Sequence, residues 1–321
     1  MSFDVRPAAP DDAPAICALL NAVDVAEVGR PESDLGMVES DLLHPEADLV
    51  RNSWLAFRDG ELVAYGLLWD ESGAERIDVD HYVLPGHQDD GARLIELMEA
   101  RAAQRAGENG AERAVVHLAL NVRPAFDTAL LRRRGWRSVR RYNVLTRPLS
   151  TAADPVPAPP AGLTLRDCVD EADRRRAHEL VEETFAEHYD HHPRGYRSWL
   201  DDLGAGMDWS LVWIASQEGS GDVAVIVSRD DRTAMGWIRN LGVLEKARGR
   251  GIAGYLLHHA FGVYAARGRD TMGLGVDTTN ATGALRLYLA HGMALHFAVD
   301  TWELTLPAVA PEPPAASAPK P

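Results

Sequence analysis

The sequence has few of the features that mark secreted, membrane-spanning or nucleic-acid-binding proteins. Its 321 residues include only two cysteines, Cys17 and Cys168, which cannot form a disulfide framework. No apolar run approaches the roughly 18 residues of a membrane helix, and the N-terminal segment lacks a basic stretch followed by an apolar one. Only 33 Lys and Arg stand against 48 Asp and Glu, a net charge of −15. We therefore expect a cytoplasmic protein that binds neither membranes nor nucleic acids.

Proline and alanine dominate two stretches that have no core of their own. Residues 150–162 (STAADPVPAPPAG) predict an extended linker, and residues 307–321 predict a disordered tail. The rest of the chain forms two segments, 1–149 and 163–306, each of the usual size of a domain. With 46% hydrophobic and 25% charged residues in the whole chain, each segment can bury a core.

The two segments resemble each other at a nearly constant separation. It is 160 residues for the first two of three anchor pairs and 157 for the third: Arg6 with Arg166, Gly91 with Gly251, and Gly135 with Gly292. Each copy predicts a strand, a helix, a hairpin, another strand, a glycine-containing turn, a long helix, and then strand, helix and strand. The sequence therefore predicts an internal duplication of a mixed α/β (α+β) domain, each copy a largely antiparallel sheet flanked by helices.

A basic, glycine-rich turn precedes an apolar helix in the second copy, in the stretch EKARGRGIAGYLLHHAF (245–261). Glycine lets backbone N–H groups approach a ligand closely, and a helix N-terminus offers unpaired N–H groups and a partial positive charge. This combination favours a phosphate. A basic turn that only caps an ordinary helix is the alternative.

A second stretch completes the pattern, and together the two resemble the signatures of the GNAT acetyltransferases. Arg248, Gly251 and Ala253 match the R-x-x-G-x-A form of that family's coenzyme A loop. NATGALRLYLAHGM (280–293) is similar to the family's pattern of Asn, a helix with Leu-Tyr, and Gly, although the interval from Asn280 to Tyr288 is one residue longer than the commoner form. The resemblance covers both halves and implies two tandem GNAT domains, as in proteins of the mycothiol synthase type.

The resemblance implies roles for the matching residues. Amides at the turn and the helix start would hold the pyrophosphate of acetyl-CoA, and Tyr288 would protonate the departing thiolate as a general acid. A core aromatic residue is the alternative for Tyr288. The implied coenzyme-binding residues are Leu241, Gly242, Val243, Arg248, Gly249, Arg250, Gly251, Ile252, Ala253, Gly254, Asn280 and Leu287.

The general base is left open. Relatives often carry a glutamate where this chain has Trp237, a carboxylate that mycothiol synthase would need. A water held by the backbone, by Asn240 or by a nearby histidine could deprotonate the acceptor instead.

The region after the first helix borders the acceptor pocket in the family. With Trp237, this suggests five candidate substrate contacts, for which a solvated loop is the alternative: His188, Tyr189, His191, Tyr196 and Trp237. We expect no metal, because Asp190, His191 and His192 do not follow a recognised ligand spacing.

The first copy lacks the same signals. Asp89 and Asp90 stand at the equivalent turn, where two carboxylates would repel phosphates, and Leu131 stands where the second copy has Tyr288. The sequence therefore predicts a degenerate first copy and one acetyl-CoA site per chain.

These observations predict an acetyl-CoA-dependent N-acetyltransferase that modifies the primary amine of a small molecule by direct attack in a ternary complex. The alternatives are mycothiol synthase or a relative that acetylates an amino-sugar thiol conjugate, and a non-catalytic acyl-CoA-binding scaffold. The sequence leaves monomer and homodimer open. Acidic residues predict a rim that attracts a cationic amine, unless they serve only solubility: Glu182, Glu183, Glu187, Asp190, Asp201 and Asp202.

Overall fold

The structure is a computed structural model that describes residues 3–44, 47–70, 72–189, 191–204, 206–230, 235–279 and 283–310. The chain divides into two compact units. The first consists of Met1–Arg141 and Val299–Pro321, and the second consists of Tyr142–Ala298. None of the helices in the described part of the chain is long and apolar enough to cross a membrane.

The first unit is a six-stranded sheet with helices on both faces. Its helices are α1 (Ala13–Val28), α2 (Leu35–Leu42), α3 (Leu49–Asn52), α4 (Gln88–Glu108) and α5 (Thr128–Arg133). Its strands are β1 (Phe3–Arg6), β2 (Ser53–Arg58), β3 (Glu61–Trp69), β4 (Arg76–Val83), β5 (Arg113–Asn121) and the Val299–Pro307 part of β12 (Ala294–Pro307). They pair in the order β1-β2-β3-β4-β5-β12, in which β4 and β5 are parallel and the other pairs are antiparallel.

The second unit repeats this plan. Its helices are α6 (Glu171–Phe185), α7 (Tyr196–Leu203), α8 (Ile252–Ala266) and α9 (Ala284–Ala290). Its strands are the Tyr142–Pro148 part of β6 (Arg137–Pro148), β7 (Leu163–Asp167), β8 (Val212–Gln217), β9 (Gly221–Arg229), β10 (Gly236–Val243) and β11 (Thr271–Asp277). The order is β6-β11-β10-β9-β8-β7, with β10 and β11 parallel and the other pairs antiparallel.

The predicted duplication and the mixed fold are confirmed. Strands β9 and β10 begin 160 residues after β3 and β4, the separation that the sequence anchors gave. The predicted hairpin turns also form: Asp59 and Gly60 have φ values of 51° and 89°, and Gly219 and Gly221 both have φ of 72°. Positive φ at adjacent turn residues matches the right-handed twist of hairpin strands.

Helices cover both faces of the second unit's sheet because its central strand is apolar on both sides. In β9 the side chains alternate between two cores: Ala224 and Ile226 face the core under α8, whereas Val225 and Val227 face the core under α6 and α7. Helix α6 is amphipathic and buries one stripe at helical spacing, through Ala177, Leu180, Val181 and Thr184. The sheet of the second unit therefore has a hydrophobic core on each of its two faces.

The closing strands are distributed differently from the predicted domains 1–149 and 163–306. The sequence assigned each final strand to its own copy. Instead, β6 pairs with β11 in a ladder that runs from Tyr142 opposite Asp277 to Pro148 opposite Thr271, and β12 pairs with β5. Each unit is therefore completed by a strand from the other half of the sequence. Nothing local in the sequence of either strand decides which partner it takes.

The predicted linker packs against the second unit. Asp154 is buried and pairs with Arg147 at 2.7 Å, and the backbone of Val156 lies where a side chain on Gly262 would be, within 2.8 Å of an added Cβ. At the other end, Ala308 and Val309 donate backbone hydrogen bonds to Glu112 and Ala103. The part of the predicted tail from residue 311 onward lies outside the described residues.

Candidate functional site

Two parallel strands of the second unit separate part way along their length. Strands β10 and β11 pair only from Gly236 to Ile238, opposite Met272 to Leu274, within the described residues. A register shift between Ile238 and Asn240 interrupts the β9–β10 ladder at the same level. Such a bulge bends a strand and re-aims its side chains. Beyond it, no pairing of β10 with β11 is present among the described residues.

A cavity of about 490 Å³ fills the cleft between the separated strands. It runs from the turn before α8 to the residues that follow α6, and α9 closes one side. Its wall, in the described part of the chain, is formed by Tyr142, Thr184, Phe185, His188, Ile238, Arg239, Leu241, Gly242, Val243, Ala247, Arg248, Gly249, Gly251, Ile252, Ala253, Gly254, Leu274, Gly275, Val276, Asp277, Gly283, Ala284, Leu287 and Tyr288. Most of the implied coenzyme-binding residues thus lie around one space.

The turn before α8 is shaped as an anion cradle. Gly249 and Gly251 have φ values of 76° and 78°, which favour glycine, and no atom lies within 4 Å of the position of an added Cβ on either residue. Gly251 is the N-cap of α8, so the unpaired N–H groups of the first helical turn lie at this end of the cavity. The geometry fits a phosphate group.

The two arginines of the turn have different positions. Arg248 lines the cavity, and its Nε donates to the carbonyl oxygen of Val243 at 3.1 Å. The Nη1 of Arg250 donates to Oε1 of Gln217 at 2.7 Å, at the end of β8. Arg250 does not line the cavity among the described residues, so Arg248 is the better placed of the two to meet a bound phosphate.

Gly254 has a packing role. An added Cβ there would lie 2.7 Å from Nε2 of His291, the residue that caps the C-terminus of α9. Nδ1 of His291 in turn lies 2.9 Å from Nε2 of His258 on α8. The absence of a side chain at Gly254 therefore lets α9 approach α8, which positions Tyr288 against the cavity.

Tyr288 is the buried residue of α9, and it lines the cavity. Its side chain lies in the core under α8, and burial raises the pKa of its hydroxyl to about 12. The hydroxyl is therefore protonated throughout the neutral range and can act as a hydrogen donor. Asn280, the first residue of the second stretch, lies outside the described residues.

The predicted acceptor contacts divide into two groups. His188 lines the cavity, with its ring 4.3 Å from that of Phe185. Tyr196 lies elsewhere: its hydroxyl donates to Glu171 at 3.0 Å and its ring packs against Trp199. His191 pairs with Glu182 at 3.2 Å, and Tyr189 is exposed. Of these four, only His188 belongs to the cavity wall in the described part of the chain.

Two predicted residues of β10 do not line the cavity in the described part of the chain. The ring of Trp237 lies 2.8 Å from the position of an added Cβ on Gly273, so it covers the adjacent strand. Asn240 is half-buried next to the bulge. The charged side chain of β10 that enters the wall is Arg239, which the sequence analysis did not identify because no local pattern marks the bulge. Thr184, Phe185 and Asp277 were also missed.

Among the described residues, the acidic residues of the predicted rim are not part of the cavity wall. Asp202 accepts from Arg194 and Arg239, and Glu182 pairs with His191. Among the described residues, the charged side chains of the wall are Arg239, Arg248 and Asp277. Asp190 lies outside the described residues. The wall therefore carries two cationic side chains and one anionic side chain.

At the equivalent turn of the first unit, side chains pack over the start of the helix. An added Cβ on Gly91 would lie 2.7 Å from Val83 and 2.9 Å from Phe126, so these side chains cover the start of α4. Asp90 is buried there and pairs with Arg58 and His87. Burial alone would raise the pKa of Asp90, but the hydrogen bonds from Arg58 and His87 outweigh it and hold the pKa below its usual value.

Comparisons with known proteins found a family profile and solved structures to which this chain is similar. Residues 208–292 match the family profile of the acetyltransferase (GNAT) domain. The chain is similar to a GCN5-related N-acetyltransferase from Sphaerobacter thermophilus, with 29% identity over 96% of this chain and 97% of that one, and a TM-score of 0.78. A tandem GNAT protein from the clavulanic acid biosynthesis pathway shares the fold, with 18% identity over 97% of this chain and 100% of that one, and a TM-score of 0.67. No curated protein sequence matches.

Proposed function

We propose that this chain is an acetyltransferase with two tandem GNAT domains, and that it transfers an acetyl group from acetyl-CoA to the primary amine of a small molecule. The observation that carries the proposal is the continuous cavity of the second unit, which joins an anion cradle at Gly251 to a protonated tyrosine at Tyr288. The acetyl thioester supplies an activated acyl group when it is bound there.

Each end of the cavity has a part in binding the coenzyme. The amides at Gly249–Gly251 and the first turn of α8 would hold the pyrophosphate, and Arg248 adds a positive charge. The open edge of β10 at Leu241–Val243 offers backbone groups that can bind the pantetheine arm and polarise the thioester carbonyl. Gly242 keeps this edge close to α6, since an added Cβ would lie 2.1 Å from Oγ1 of Thr184.

His188 and Tyr288 are the groups that we assign to proton movement. His188 lines the cavity, unlike Asn240, so it is the better candidate to take the proton from the ammonium of the acceptor. The neutral amine then attacks the carbonyl carbon, and the bond between that carbon and sulfur breaks. The attacking nitrogen loses its second proton as the amide forms, and this proton restores Tyr288 after it has protonated the sulfur. Tyr288 donates its hydrogen to the departing sulfur. The raised pKa of about 12 keeps the hydroxyl of Tyr288 protonated at neutral pH, so this hydrogen is available.

The first unit would serve no second reaction. Phe126 occupies the space at the start of α4, and Asp90 places a buried carboxylate where a phosphate would lie. We therefore propose one coenzyme site per chain, and calorimetric titration with coenzyme A should give a stoichiometry near one.

A coenzyme A release assay with a panel of amines tests the proposal, and Tyr288→Phe is the decisive variant. We expect its kcat to fall by about 10²–10⁴-fold, with little change in the Kd of coenzyme A, because only a hydrogen donor is lost. Tyr255→Phe is the matched control, since Tyr255 is another largely buried tyrosine of the same core that does not line the cavity in the described residues. Unchanged turnover in Tyr288→Phe, with chemistry shown to limit the rate, would refute the assignment. His188→Gln should lower kcat/KM with little change in the Kd of coenzyme A.

A further inference from the structure

The charge of the cavity wall bears on the acceptor. Given the proposed acetyl transfer, we propose that Arg239 binds a carboxylate of the acceptor, so that this enzyme acetylates a small amino acid and not a simple cationic amine. The inference rests on the proposed function, and it differs from the expectation that an acidic rim attracts a purely cationic amine.

Arg239 stands at the acceptor end of the cavity. It is the first residue of β10 beyond the last pair with β11, whereas Arg248 and Gly251 lie past the other end of the strand. Two residues along a strand span about 6.6 Å, so Arg239 is within reach of a short molecule whose amine meets a thioester carbonyl at Leu241. An acceptor that places its amine there would have its remaining atoms near Arg239.

Asp202, the carboxylate behind Arg239, also accepts a hydrogen bond from a second arginine. Nη2 of Arg239 donates to Oδ2 of Asp202 on α7, and Nη1 of Arg194 donates to the same oxygen at 3.0 Å. Another acid, Glu182, accepts from the backbone N–H of Arg194 at 3.3 Å and pairs with His191 at 3.2 Å.

The guanidinium of Arg239 retains capacity for a ligand. It carries five N–H donors, and within the described part of the chain Asp202 is paired through Nη2. The side chain is 28% exposed and lines the cavity, whereas Asp202 does not. The planar fork of arginine matches the geometry of a carboxylate, and Phe185 and Ile238 in the same wall lower the local dielectric constant.

The acidic residue of the wall is less suited to select a cationic acceptor. Oδ1 of Asp277 accepts hydrogen bonds from the backbone N–H and from Oγ1 of Thr279, both at 2.9 Å. The carboxylate of Asp277 is therefore partly satisfied by hydrogen bonds at the end of β11. An acceptor with an amine and a carboxylate matches the wall better than a purely cationic one.

The test compares acceptors that differ only in charge. Glycine, β-alanine and γ-aminobutyrate would each be measured against the carboxamide of the same chain length, for kcat/KM and, in the presence of coenzyme A, for calorimetric binding. Wild type should prefer the best carboxylate over its carboxamide by about 10- to 100-fold, the usual effect of a hydrogen bond to a charged group. Arg239→Gln should abolish the preference. Arg194→Gln is the matched control, since it removes the other partner of Asp202 away from the cavity wall, and it should retain the preference.

The outcomes separate this inference from the proposed function. Acetylation of amines with no carboxylate preference in wild type, or a preference that survives in Arg239→Gln, would overturn the inference and leave the acetyl transfer in place. Carboxylate binding that depends on Arg239 without any acetylation would support the inference and refute the proposed reaction. Melting temperatures of both variants check that neither change unfolds the second unit.

Discussion

Gly251→Ala is the sharpest test of the anion cradle. The residue has φ of 78° and no atom within 4 Å of an added Cβ, so the substitution creates no clash and acts through the backbone alone. An L-residue pays about 1–2 kcal/mol in the left-handed region. If the turn keeps its shape, the cost appears as lost stability. If the turn relaxes, its N–H groups leave their positions and the coenzyme must restore them when it binds.

The relaxed case sets the magnitude for the assay. A penalty of about 1–2 kcal/mol corresponds to a Kd for coenzyme A that is about 5- to 30-fold weaker, because 1.4 kcal/mol is tenfold. Calorimetric titration measures this value directly. The new methyl group would also stand in open space on the ligand side of the turn, which adds to the loss.

Gly268→Ala supplies the matched control. Gly268 has φ of 83° and no atom within 4 Å of an added Cβ, and it lies beyond the C-terminal end of α8, at the opposite end from the cradle. It should lose a similar amount of stability and bind coenzyme A like wild type. Equal Kd values for Gly251→Ala and Gly268→Ala would refute the assignment of the cradle.

Two further predictions use features of the second unit. Gly242→Ala places a Cβ 2.1 Å from Oγ1 of Thr184 and should cost about 1–3 kcal/mol in unfolding free energy as well as activity, whereas Gly275→Ala, with no atom within 4 Å, should leave stability within about 0.5 kcal/mol of wild type. The hydrogen bond from Arg166 lowers the pKa of Asp222 from 3.8 to about 2, so its stabilisation is complete above pH 4 and is lost as the pH falls through 2. The difference in unfolding free energy between wild type and Asp222→Asn should therefore shrink between pH 4 and pH 2; a constant difference would contradict the pairing.

Local signals in the sequence predicted the fold well because the same order of elements occurs in both halves of the chain. The recurrence of Gly91 at Gly251, with hairpin turns at Asp59–Gly60 and Gly219–Gly221, defines the same order of elements in both halves. The partner of each closing strand was not predictable. The residues of β12 that pair with β5 lie far from it in sequence, and no local pattern records which open edge a strand will join.

The site was predicted where backbone conformation dictates the residue and missed where it depends on register. Gly249 and Gly251 could be identified from the sequence because their positive φ values favour glycine. Arg239 could not, because no local pattern marks the bulge between Ile238 and Asn240, where consecutive side chains of β10 line the cavity. Trp237 was a candidate through the resemblance alone, and its ring covers β11.

The exchange of closing strands has a consequence for the order in which the protein can be made. Strand β5 is complete at Asn121, but the residues that cover its outer edge begin at Val299, so roughly 180 residues must be translated in between. At about 5–20 residues per second, that edge waits on the order of 10–35 s on the ribosome. An unpaired edge invites pairing with other chains. The second unit has no such delay, because Tyr142–Pro148 is synthesised before β11. The half with the open cavity can thus close first, and the older half of the nascent chain is the last to finish folding.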